Sequence, residues 1–166
     1  VAVGTAYSSH DWTDLFVATA GASAALTGLV FVAVSINIER ILKLQGVPER
    51  ALETVLLLLN VLIVSTLGLA PGQSATALGI ELLGVALLFG GGIALLAARS
   101  LPPAHKRAWR ASRVLLVIPG TVPFVIGGVS LLAESGGGLY WTLGGIVGAF
   151  VGAVTSAWVL LVEILR

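Results

Sequence analysis

The chain has 166 residues, of which 57% are hydrophobic and only 10% charged, with a formal net charge of +1. Soluble globular domains carry about 25% charged residues, so this chain lacks the polar surface that a water-exposed fold requires. It contains no cysteine, which excludes disulfides, thiolate metal sites and cysteine nucleophiles.

Five apolar runs, at 15–38, 52–70, 75–98, 113–133 and 140–163, pass the length test for crossing a bilayer core, about 20 residues. They predict an all-α polytopic membrane protein with five transmembrane helices, folded as a single membrane domain over 1–166. The basic residues give the expected orientation. Arg40, Lys43 and Arg50 fall between the first two runs, Arg99, Lys106, Arg107, Arg110 and Arg113 between or at the ends of the third and fourth, and Arg166 at the end. With five crossings all nine lie on one side, which predicts an outside N-terminus and a cytoplasmic C-terminus. The expected setting is a cell membrane, plasma or inner, with the lipid bilayer as the first partner.

In the first run Gly21, Ala25 and Gly28 form a stripe of small residues, and Ser23 and Thr27 lead toward Asn37 at the cytoplasmic end. Two readings are open for these polar residues. Their hydroxyls bond carbonyls of their own helix and save space, or they line a hydrated path.

Asn60 falls near the middle of the second run, in LLLLNVLIVS, where its amide donor and acceptor both need partners. It serves either as a hydrogen-bonding link between helices or as part of a polar cavity lining. The segment Ala70–Ser74 then makes a tight turn, with Ser74 placed to cap the third helix.

The third run holds Glu81, the one charged residue between Glu53 and Arg99. It lies about 10 Å along the helix from the run's outer end. Three fates follow from that position: a neutral, hydrogen-bonded acid, a carboxylate at a water-filled vestibule that belongs to a symmetric ring, or a proton shuttle. An ionisable residue inside a membrane is functional by default.

Between the third and fourth runs, Lys106, Arg107, Arg110 and Arg113 surround Trp109. Basic residues beside a membrane attract anionic lipid headgroups, so lipid contact is expected here and nucleic acid is not. In the fourth run Pro119 and Pro123 each remove a helical donor, which predicts a kink or local unwinding.

In the fifth run Gly144, Gly148, Gly152 and Ser156 recur every fourth residue and form a stripe for close helix contact. Whether the contacting helix belongs to the same chain or to another copy is open at this point. Repeated copies around an axis would line a pore more readily than one small chain, which points to a homo-oligomer.

The functional expectation is a small oligomeric channel or ion- or proton-permeation protein, with Glu81 near its mouth and Asn60 or the hydroxyl stripe along the path. The alternative is a non-transporting membrane partner or regulatory subunit, acting on another membrane protein through small-residue faces and basic loops. An enzyme is not expected, because no His or Lys base accompanies a hydroxyl nucleophile at membrane depth. No cofactor is expected either: the runs hold no haem ligand pair and no lysine for a retinal Schiff base. His10 and His105 are predicted on opposite sides, so no metal site is expected.

Overall fold

The structure, a computed structural model, describes residues 5–44, 46–99 and 118–165. The chain opens with two 3-10 turns, Thr5–Tyr7 and Ser9–Trp12, followed by α1 (Thr13–Ile36) and the short α2 (Ile38–Lys43). Then come α3 (Val47–Gly68), α4 (Ala75–Arg99), a 3-10 turn at Ile118–Gly120, α5 (Val122–Leu132) and α6 (Leu139–Leu165).

Local chemistry sets the helix boundaries. Gly46 takes a φ of 80°, and Pro48 follows in the first turn of α3, where its missing N–H has no helical partner to lose. The Ser74 hydroxyl accepts the Ala77 N–H at 3.1 Å and caps α4. Ahead of α6, Gly136, Gly137 and Gly138 have φ of 85°, 106° and 50°, conformations that side chains with a Cβ rarely adopt.

Four described helical segments are long and apolar enough to cross a membrane: Ser9–Ile36, Val47–Gly68, Ala75–Leu96 and Leu139–Val162. The expected count of five transmembrane helices is therefore corrected to four. The expected span at 113–133 is, from Ile118 onward, a 3-10 turn and an 11-residue helix, α5. At 1.5 Å per residue α5 is about 16 Å long, roughly half of a hydrocarbon core of about 30 Å. The proline pair is the physical reason. Pro119 sits in the 3-10 turn, Thr121 leaves helical geometry at φ −130°, and Pro123 opens α5 instead of continuing a longer helix. The expected outside N-terminus and cytoplasmic C-terminus rested on five crossings, and that assignment falls with the count.

Packing identifies the two ends of the bundle. At the near end the Phe16 ring fills the space beside Gly68, and Ala6 packs on Gly138. At the far end Ile41, Val47, Ala51 and Leu160 form one apolar cluster. Leu57, Leu58, Ile93 and Ala153 form another, and the largest core joins Phe16, Val61, Val64, Leu82, Phe124, Leu131 and Ile146. The principal helix pairs are α1 with α3, α4 with α5, and α3 with α6. This is a small all-helical integral membrane protein, and lipid is its surrounding medium.

Candidate functional site

Asn60 lies on the buried face of α3 and is fully enclosed, at 0% exposure. Its Nδ2 donates to the Gly120 carbonyl at 3.5 Å, a long contact for an N–H···O bond. Its Oδ1 is buried without a hydrogen-bond partner. The helix break thus supplies a carbonyl beside Asn60. Gly120 is needed for the approach, since a Cβ there would lie 2.9 Å from Ala149 Cα of α6 and 3.0 Å from Leu57 of α3.

The α1 polar residues turn to nearby partners. Ser23 is fully buried and donates to the Ala20 carbonyl at 3.1 Å, and Thr27 donates to the Ser23 carbonyl at 2.7 Å. Asn37 donates through Nδ2 to the Ala33 carbonyl at 2.9 Å. All three bonds stay within one stretch of chain. The sequence reading missed the polar pair that does cross between helices, Thr19 of α1 and Ser65 of α3, whose hydroxyls meet at 2.8 Å. Its signal was present, because Thr19 lies one helical turn before Ser23 on the same face.

Glu81 is half-buried on α4, and Gln73, from the turn before that helix, donates through Nε2 to Glu81 Oε2. The Oε1 of Gln73 is buried with no hydrogen-bond partner. Glu81 therefore belongs to the near end of the bundle, whereas Asn60 lies two turns from that end of α3 and packs at the helix break.

The two small-residue stripes have different surroundings. On α6, Gly152 and Ser156 are buried, and a Cβ on Gly148 would collide with the Pro119 carbonyl. Their neighbours belong to the same chain. Gly144 is exposed, with open space over its Cα. On α1, Gly21, Ala25 and Gly28 all face outward, and nothing lies within 4 Å of a Cβ built on either glycine. Pro119 and Pro123 frame the break described above. The expected headgroup contacts Lys106, Arg107, Arg110 and Arg113 lie outside the described residues.

Aromatic and hydroxyl groups tie the near end together. Trp12 Nε1 donates to the Thr5 carbonyl at 2.7 Å, and its ring meets Tyr140 edge-on with centroids 4.9 Å apart. The Tyr7 hydroxyl accepts the Gly137 N–H at 3.2 Å. Ser130 Oγ accepts the Gly138 N–H at 2.8 Å and donates to the Ser135 carbonyl. Tryptophan and tyrosine favour such an interfacial level, with an apolar ring and one polar edge.

No protein-family model, curated protein or solved structure matches the chain.

Proposed function

We propose that the chain is a non-transporting membrane partner, whose outward α1 face seats against a helix of another membrane protein. One observation carries the reading: Gly21, Ala25 and Gly28 lie together on the exposed face of α1, with open space over both glycines. Small residues allow helix backbones to approach closely, and such packing is a main source of helix association in lipid. Lipid chains alone do not call for that groove.

The disposition of the polar residues favours the same reading over ion or proton permeation. Permeation asks Glu81, Asn60 and Thr27 to share a polar cavity. Each instead makes its own contact, with Gln73, Gly120 and Ser23 respectively.

The natural lack of cysteine allows a direct test. Ala25→Cys, alkylated with a thiol-specific photocrosslinker and irradiated in native membranes, should give a crosslinked product of discrete mass, and replacing both Gly21 and Gly28 with Leu should abolish it. A product of twice the chain mass identifies a second copy as the occupant and removes the proposed one. Reconstituted liposomes should show no protein-dependent ion or proton flux. A flux that disappears in a folded Glu81→Gln variant would overturn the proposal.

A further inference from the structure

The far end of the bundle carries an apolar groove of about 260 Å³, between the last turns of α1, the short α2 and the first turns of α3. Phe31, Ile38 and Leu42 form one wall, and Pro48, Leu52 and Val55 form the other. The buried side chains of Ile41 and Ala51 floor it, and no polar side chain lines it. It shares no residue with the Gly21–Gly28 face. We propose that this groove holds one acyl chain of a phospholipid whose headgroup carries a net negative charge.

The depth and direction of the groove fit a lipid chain. Trp12 marks the near interface, and α1 then runs for 24 residues. That is about 36 Å of helix against a hydrocarbon core of about 30 Å, so the break at Asn37 and the start of α2 fall in the opposite headgroup layer. From Pro48 to Val55 the groove descends about 10 Å along α3 into the hydrocarbon. Its walls are uncovered, since Phe31, Leu42 and Leu52 are all exposed.

Charge on α2 selects the headgroup. Ile38, Ile41 and Leu42 share the side of this helix that lies on the groove, and Glu39, Arg40 and Lys43 share the other. A helix of that pattern at a membrane surface turns its polar side to the headgroups. The long stems of Arg40 and Lys43 let their charges reach over the rim. Both side chains are exposed, and neither has an ion-pair partner among the described residues.

Glu39 is the one acid on α2, which leaves the segment net positive. Glu49 and Glu53 of α3 do not line the groove. Every described lysine and arginine, namely Arg40, Lys43, Arg50 and Arg99, belongs to this end, whereas Asp11, Asp14, Glu81 and Glu134 belong to the other. A zwitterionic lipid fills the groove equally well but gains little from the two cations. An anionic one gains about five-fold for each basic residue at the surface.

The test uses the full chain in nanodiscs of equal parts phosphatidylglycerol and phosphatidylcholine, with retained lipids counted by native mass spectrometry. Phosphatidylglycerol should be retained at least about five-fold in preference. Replacing both Arg40 and Lys43 with Gln should lower that preference by about five-fold or more, and Glu39→Gln should raise it. Leu52→Trp fills the groove without changing charge and should remove one retained lipid per chain. Leu42→Ser, at a position exposed enough to leave folding intact, should weaken retention of the same lipid. A preference that survives the Arg40 and Lys43 replacements belongs to other basic residues and overturns the proposal. Retention unchanged by both leucine variants shows surrounding lipid only, and overturns it as well.

Discussion

Gly79 of α4 and Gly128 of α5 meet backbone to backbone: a Cβ on Gly79 would lie 3.0 Å from the Gly128 carbonyl oxygen, and one on Gly128 would lie 3.0 Å from the Gly79 oxygen. The contact is reciprocal and involves main-chain atoms on both sides, and a Cβ on Gly128 would also lie 2.7 Å from Leu83 Cγ, so both that side chain and the backbone would have to give. Gly128→Ala should therefore destabilise the protein by about 1–3 kcal/mol, measured by thermal or SDS-induced unfolding in micelles. Gly84→Ala, with nothing within 4 Å, should stay within about 0.5 kcal/mol of the parent. Equal effects at the two sites would contradict this packing.

The α6 stripe divides in the same way. Gly148→Leu drives a side chain into the Pro119 carbonyl, whereas Gly144→Leu extends into open space. The first should abolish the folded, monodisperse species on size exclusion, and the second should leave it unchanged. Loss of folding in Gly144→Leu would imply a neighbour at that position.

Asn60 tests whether a polar group at membrane depth is needed for stability. Its one donor contact is long and its Oδ1 is unpaired, so Asn60→Leu removes a weak bond together with a desolvated acceptor. Its unfolding free energy should change by no more than about 1 kcal/mol. Asn60→Asp introduces a charge in the same place and should cost about 3 kcal/mol. The reverse order would show a stronger polar network around Asn60 than Gly120 provides.

Thr19 and Ser65 supply a measurable coupling. Thr19 Oγ1 also lies 2.8 Å from the Leu15 carbonyl, so Ser65→Ala leaves it with a partner. A double-mutant cycle of Thr19→Val and Ser65→Ala should give a coupling of about 0.6 kcal/mol. A value indistinguishable from zero would remove this bond as a determinant of α1–α3 register.

Long apolar runs were legible because length and hydropathy are properties of contiguous sequence. The expected runs 15–38, 52–70, 75–98 and 140–163 correspond to α1, α3, α4 and α6 within a few residues. The run at 113–133 is equally long, and its prolines predict a kink or local unwinding within a spanning helix. What sequence did not convey is that Pro123 would start a helix while Pro119 remained in a tighter turn. That choice depends on Gly120 fitting between Leu57 and Ala149, a tertiary fact. Partners were harder still to read. The stripes of α1 and α6 have the same composition, yet Gly28 is open and Gly148 is covered by Pro119. Likewise Gln73, in a turn, gave no sign that it would reach Glu81 eight residues on.

The half-length of α5 also shapes the electric field inside the bundle. A helix presents about half a positive charge at its N-terminus, and α5 begins beside Asn60 and Gly120, well inside the bundle, instead of at the bilayer surface. Glu81 lies nearer the end, within about two turns of the start of α4. The positive end of that short helix and the Glu81 carboxylate thus set potentials of opposite sign at two depths of the same bundle.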